Sequence, residues 1–408
     1  MGGRALRLPV PMSLLGDRAY RRVWTIGGLT WVTRASDIVV TGIFVYDVTG
    51  LAGTVAMVAF LRFLPMVAGA VSGALAARAP LPLVLRGLLI TVGIVYATLA
   101  ALAAAGLLEV WHVGLGAFLI GIYWSAENSV RRTLLGEIAG HERISAAIGL
   151  DWAAINAVRL IGPLAGAAIY AAWGMGAWYG ACALFYALAA VLALGVSVPA
   201  AEPPGRGLHL LTELIEDLRA AMLHPVTAGI LAVTLCMNFF TFPYISMVPV
   251  IGKETLGATP LQVGMMATVE SIGAVLGGFA VASVAKPRLF GPIFLIGSLT
   301  TTLSALALGS SAVYALSLAA LFAAGLGVAF FATMQSTLVL SNAPPERRAR
   351  TMGLLTSSIG IGQSGIIVLG AVAGWLGTGN ALVLFAAVGF GLLLACAARW
   401  PAMWRSGA

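Results

Sequence analysis

Four ionisable residues stand where a lipid-embedded chain should carry none. Asp37, Arg62, Arg159 and Glu270 each fall inside a long apolar stretch, with no run of polar neighbours to mark a loop. A charge at the centre of a membrane helix costs about 2.5 to 3.5 kcal/mol on the insertion scale, so such residues face an internal cavity or one another. The chemistry open to them is narrow. A carboxyl without a cationic partner in a low-dielectric site can load and release a proton near neutrality. A guanidinium can hold that carboxylate, or an anionic group of a bound molecule. Asp37 and Glu270 are thus the candidate proton carriers, and Arg62 and Arg159 set their affinity or hold an anion. Glu270 has no basic neighbour in its own half of the sequence and is the better carrier. The competing reading is static ion pairing, Asp37 with Arg62 or Asp151 with Arg159.

A second polar interruption runs from Glu127 to Gly166. It opens Glu127-Asn128-Ser129-Val130-Arg131-Arg132, turns through Gly140-His141-Glu142-Arg143, and continues with Asp151, Asn156, Arg159 and Gly162-Pro163 to Gly166. Arg34, Glu127, Asn128, Asp151 and Asn156 belong below the central four, as gating groups or the floor of a pathway. The aromatics Tyr123, Trp124, Phe240 and Tyr244, with Gln335 and Gln363, are candidates to line a cavity for an amphipathic, ring-containing molecule. Helix packing competes for each of them.

Other chemistries find no support. The run Gly360-Ile361-Gly362-Gln363-Ser364-Gly365 matches a dinucleotide pattern, but no strand precedes it, and it reads as packing. No phosphate-binding GxxxxGK[ST] loop occurs, so ATP is not a direct energy source. The 3 cysteines and 4 histidines are scattered singly. No enzyme, metal or cofactor is expected.

The elements that must position these groups are membrane helices. Of the 408 residues 60% are hydrophobic and 9% charged, and the mean hydropathy is +0.99. A soluble domain carries about a quarter charged residues, so this chain lacks the polar surface to coat a globule. Stretches of about 20 apolar residues, enough to span a bilayer, fall at 23–46, 53–78, 83–106, 112–135, 145–172 and 177–198. Six more fall at 226–250, 261–285, 289–309, 312–340, 350–377 and 379–399. The expected fold is all-α, with twelve transmembrane helices in two six-helix bundles. At 1.5 Å per residue, counted from the cytoplasmic end of each helix, Asp37 and Arg159 lie ~21 Å deep, Glu270 ~22 Å and Arg62 ~24 Å, a single level near the midplane.

Basic residues gather on one side, including Arg78, Arg86, Arg131, Arg132, Arg143, Lys286, Arg288 and Arg347 to Arg350, against a lone Lys253 opposite. That bias makes both termini cytoplasmic. The net charge of +8 is therefore a topology signal, and no nucleic-acid partner is expected. The domains read as a tail 1–22, a bundle 23–198, a linker 199–225 with an amphipathic helix, a second bundle 226–400 and a tail 401–408. Internal repetition supports two halves: Gly50 aligns with Gly257 and Pro80 with Pro287 at one offset, and Glu142-Arg143 with Glu346-Arg347 at a closely similar one.

On these features the chain resembles the major facilitator superfamily, in the branch of the enterobactin exporter and the drug and macrolide efflux proteins. That branch ends its fourth span with acidic-Asn-Pro-x-Arg, here Glu127 to Arg131 with Ser129 replacing the proline. Its fifth span carries Asn-x-x-Arg-x-x-Gly-Pro, here Asn156, Arg159, Gly162 and Pro163, and its seventh is matched by Phe242-Pro243-Tyr244, Ser246 and Pro249-Val250. Gly162, Pro163 and Gly166 resemble the antiporter motif of the family. After the second span the family has Gly-x-x-x-Asp-Arg, whereas this chain reads Gly73 to Arg78 with Ala77 in place of the aspartate. The resemblance implies that this aspartate latches the cytoplasmic ends of the two halves, so Arg78 loses its usual partner.

The resemblance implies a monomeric secondary transporter of the bacterial inner membrane. It would export a small amphipathic molecule, such as a siderophore, drug or secondary metabolite, by proton antiport with alternating access. The alternatives are an importer or lysolipid carrier of the same fold, or a non-transporting receptor or assembly factor, which the lost aspartate favours.

Overall fold

A computed structural model describes residues 14–68, 80–140, 143–196, 219, 222–284, 286–342 and 348–405, apart from the side chains of some residues within these stretches. The chain is all-helical, with the twelve membrane-crossing helices of the expected fold in two bundles of six. In the first bundle these are α1 (Arg18–Thr49), α2 (Ala52–Phe63, tightening into a 3-10 turn over Leu64–Ala68), α3 (Leu81–Ala104) and α4 (Val110–Ala139). A continuous run, Ile144–Leu194, supplies α5 (144–173) and α6 (175–194), broken at Gly174, whose φ of 77° is left-handed. The second bundle has α7 (Pro225–Glu254), α8 (Pro260–Val284), α9 (Phe290–Ser310), α10 (Tyr314–Asn342), α11 (Arg348–Gly362, resuming as Gly365–Leu376) and α12 (Thr378–Arg399). We call the end bearing Arg18 and Arg399 the basic face, and the end where α1 stops at Thr49 the far face.

Local sequence explains where these helices begin and end. The Asp17 carboxylate accepts the N–H groups of Ala19 at 2.8 Å and Tyr20 at 3.2 Å, capping α1. Gly50 ends α1 with φ 65°, and its repeat partner Gly257 follows α7 with φ 59°, a conformation open to glycine at no steric cost. The other aligned pair also holds its place: Pro80 immediately precedes α3, and Pro287 opens the turn leading into α9.

The polarity of a soluble protein is inverted. Trp173 and Trp375 are 73% and 87% exposed, while Asp37, Arg131 and Asp151 are buried. One apolar core fills the first bundle around Tyr96, Trp178 and Tyr186, and another fills the second around Phe294, Phe331 and Leu338. A third core is shared. Val45, Val55 and Val113 of the first bundle pack with Tyr244, Met247 and Leu369 of the second.

Contacts between the bundles lie mainly toward the far face. There α5 packs along α8, the last part of α11 against α2, and the last part of α7 against α1. Glycines make these approaches possible. A Cβ on Gly42 would stand 2.7 Å from the Pro249 ring, and one on Gly264 2.6 Å from the Ala167 methyl group. Gly370 sits equally tightly on Ala56. The Gly73 to Arg78 loop and almost all of the expected linker helix lie outside the described residues.

Candidate functional site

The four charges that the sequence assigns to one level fall in two places. In the first bundle Asp37 of α1 forms an ion pair with Arg62 of α2, their side chains 0% and 3% exposed. Thr41, one turn beyond Asp37, donates to its Oδ1 at 3.2 Å, and the Trp178 indole of α6 approaches the same oxygen at 3.4 Å. Arg62 in turn reaches Thr41 Oγ1 at 3.5 Å. Three helices thus converge on one carboxylate.

Beside this pair lies a stack of guanidinium and indole groups. Arg62 sits 5.4 Å from the Trp124 ring centre, and Arg34 sits 4.5 Å from Trp31 and 4.6 Å from Trp124, within cation–π range. Arg62 Nε and the indole nitrogens of Trp31 and Trp124 are buried without a hydrogen-bond partner among the described residues. An unmade buried hydrogen bond costs about 1 to 3 kcal/mol, so such donors favour an acceptor. Arg62, Thr41 and Gly42 also line a crevice that reaches Ser246 of the other bundle, with space of about 10 Å³, room for one water at most.

Glu270 of α8 is 9% exposed and accepts a 2.8 Å hydrogen bond from the Tyr244 hydroxyl. Arg159 of α5, in the other bundle, acts on its charge across the seam, without forming an ion pair among the described residues. Helix α7 prepares the Tyr244 position. Pro243 has no N–H to donate, and the preceding turn widens into a π turn over Met237–Thr241, closed by Phe242 N–H on the Met237 carbonyl at 2.8 Å. Gly362 and Gly365 of α11 pack on Asn238 and Phe239 of that turn, the packing role read for this glycine run.

A third cluster lies nearer the basic face. Arg131 of α4 is completely buried between Glu127, one turn before it at 2.5 Å, and Asp151 of α5, which it grips with two nitrogens, Nη2 to Oδ2 at 3.2 Å. A side chain on Gly27 of α1 would overlap this guanidinium, so α1 closes the pocket.

At the far face a clasp joins the bundles. Lys253 Nζ of α7 lies 2.8 Å from Asp47 Oδ1 of α1, and the Tyr170 hydroxyl of α5 donates to the other oxygen at 2.9 Å. Within the second bundle, Thr378 of α12 donates to Glu254 at 2.5 Å.

Measured against the sequence reading, the Asp37–Arg62 pairing is present, whereas Asp151 pairs with Arg131 in place of Arg159. Glu270 forms no ion pair among the described residues, and the cation that acts on its charge, Arg159, belongs to the other bundle. Tyr244 turns its hydroxyl to Glu270, and Phe240 packs on Phe385 with ring centres 5.6 Å apart. Tyr123 packs edge-on against Tyr186, and Gln335 and Gln363 hydrogen-bond Thr234 and Asn238 of α7 at 2.7 and 3.1 Å. Gly162 and Gly166 fit against Ser36 of α1, and the Pro163 carbonyl lies against Gly264, placing this motif where α1, α5 and α8 meet. Asn156 lies on α5, partly buried. The Asn128 side chain, Gly73 and Arg78 are outside the described residues.

Sequence reasoning missed the clasp and the central role of Arg131. A signal existed for each. Lys253 is the one basic residue assigned to the far face, and Arg131 stands one helical turn from Glu127.

Among curated proteins none matches the sequence significantly. Solved structures match over nearly the whole fold. A POT family transporter in complex with a thioalcohol-conjugated peptide superposes with a TM-score of 0.77 at 12% identity, covering 97% of this chain and 100% of its own. The nucleoside transporter NupG gives 0.70 at 16%, covering 93% and 98%. A bacterial homolog of the human lysosomal transporter Spinster, inward-facing and unoccupied, gives 0.69 at 14%, covering 100% and 98%. At such identities the likeness establishes the fold alone. The Major Facilitator Superfamily model matches residues 38–364 and 230–403, from within α1 to past the end of α12, and the chain belongs to that superfamily.

Proposed function

We propose that this multi-pass membrane transporter is a proton-coupled exporter. It moves a small amphipathic molecule with an anionic group and a flat ring out of the cytoplasm. Glu270 is its proton-binding residue. The observation that carries this reading is the position of Glu270, buried in one bundle, hydrogen-bonded to Tyr244 and facing Arg159 of the other. In this reading a proton arriving there removes the charge on which Arg159 acts and weakens one electrostatic link between α8 and α5. The protonation state thereby biases how the bundles meet, as ion-coupled alternating access requires.

The basic face is cytoplasmic on the arginine bias, in a bacterial inner membrane. The joining of the bundles toward the far face supports reading this conformer as inward-facing. Asp37–Arg62 is a positioning pair that holds α1, α2 and α6 together. Arg34 and Arg62 supply positive charge for the substrate, and Trp31 and Trp124 supply ring faces and indole N–H groups that lack a partner among the described residues. Glu127, Asp151 and Asn156 lie toward the cytoplasmic entrance. Gly162, Pro163 and Gly166 support export through their likeness to the antiporter motif, and they occupy the α1–α5–α8 junction that must move.

Inverted membrane vesicles acidified inside, with a panel of labelled aromatic acids supplied in the outer medium, test the proposal. An exporter accumulates its substrate inside and releases protons, reported by a pH dye, and Glu270→Gln loses that coupling. Substrate-dependent flux of the opposite sense would make it an importer. No flux for any compound, with protein correctly inserted, would favour a receptor or assembly role.

A further inference from the structure

We propose that a cleft at the cytoplasmic end of α1 and α6 is a specific site for the phosphate headgroup of an anionic phospholipid. The cleft is lined by Arg18, Arg21, Arg22, Thr25 and Leu192 and has a volume of about 390 Å³. Three guanidinium groups share it, and no acid among the described residues lines it. Among the described residues none of the three arginines forms an ion pair. Arg21 gives one nitrogen to the Leu15 carbonyl at 3.1 Å, and Arg22 gives one to the Gly195 carbonyl. Each guanidinium carries five donors, so most remain for an oxyanion.

The surroundings select a lipid over a free anion. On the membrane side of Leu192, Leu188 and Val191 of α6 are 47% and 64% exposed, and in a membrane this surface meets acyl chains. On the other flank of α6 an apolar groove against α3, lined by Ile90, Ile94, Leu184 and Ala187 among others, adds about 560 Å³ of space at acyl depth. The positive-inside bias accounts for arginines at this level. It does not require that three of them converge on one cleft above lipid-facing aliphatic side chains. Basic pockets between transmembrane helices on the cytoplasmic side are suited to anionic headgroups. The proposal rests on the membrane orientation argued above and on no substrate or direction of transport.

The test is native mass spectrometry of the purified full chain with phosphatidylglycerol or phosphatidylcholine, alongside Arg18→Gln/Arg21→Gln. These positions leave the Arg22 contact to the end of α6 intact. Wild type should retain phosphatidylglycerol in preference to phosphatidylcholine, and the double variant should bind it about 30-fold more weakly. Arg399→Gln, at the same face but away from the cleft, should bind as wild type. Helical content and elution as a single species establish that each variant is folded. Equal retention of the two lipids, or undiminished phosphatidylglycerol binding by the double variant, would overturn the site. Displacement of the lipid by equimolar inorganic phosphate would assign the cleft to a free anion and overturn the lipid.

Discussion

Lys253 reaches across the bundle interface to Asp47 at 2.8 Å, with the Tyr170 hydroxyl holding the other carboxylate oxygen. The ends of α1, α5 and α7 meet in this clasp, beyond the glycine contacts that seal the same face. Its side chains are 20% and 32% exposed, so solvent screens the pair and its net worth is about 0.2 to 1 kcal/mol. An energy of that size tips a conformational equilibrium without locking it.

Asp47→Asn and Lys253→Gln should each shift the population toward opening at the far face by about 1.4- to 5-fold. Labelling of a cysteine introduced at Val45, buried in the shared core, reads the change. The exchanged pair Asp47→Lys/Lys253→Asp should restore protection. Protection unchanged in both single variants would remove the clasp from the gating account.

Glycine contacts supply the rest of the seal. Gly370→Leu places a side chain on Ala56, and Gly42→Leu places one against Pro249. Either variant should hold the far face open and stop substrate turnover while the protein remains folded. Spin-label distances between the far-face ends of α2 and α11 measure it, with a longer mean distance expected. A distance distribution like that of wild type would show that the seam accommodates the bulk.

Arg131 should behave as a structural keystone. Its loss strands the Glu127 and Asp151 carboxylates in a buried site, and breaking a buried pair in this way costs about 3 to 5 kcal/mol. Arg131→Gln should lower the thermal midpoint in detergent sharply, whereas Glu127→Gln/Arg131→Gln/Asp151→Asn should recover much of the loss. A stable single variant would contradict the keystone reading.

Arg34 and Trp124 bear on substrate chemistry. Trp124→Phe keeps a ring face and removes the unfilled N–H, so on the proposed function it should weaken binding of an aromatic acid substrate about 5- to 30-fold without unfolding the protein. Arg34→Gln should weaken anionic compounds more than neutral analogues. Equal effects on both would separate the stack from anion recognition.

Much of this was legible in the sequence, for identifiable reasons. Helix positions followed from apolar length, and the repeat glycines Gly50 and Gly257 marked two helix ends because each needs a left-handed backbone. The midplane charges announced themselves by their cost in lipid. Their partners were harder to read, since pairing depends on which helices become neighbours. Asp151 lies on the same helix as Arg159, yet Arg131 of α4 fills its carboxylate. Glu270 looked isolated because the cation that acts on its charge, Arg159, belongs to the opposite bundle. The clasp was hidden for the same reason: Asp47 and Lys253 sit near helix ends, where charges are unremarkable in sequence, and only the folded arrangement joins them.

Gradient-driven flux in vesicles carrying Glu270→Gln tests the central claim most directly, measured beside substrate exchange without a pH gradient. The account predicts that the variant still exchanges substrate but no longer accumulates it in response to the gradient. Accumulation by the variant at the wild-type level would contradict Glu270 as the coupling residue.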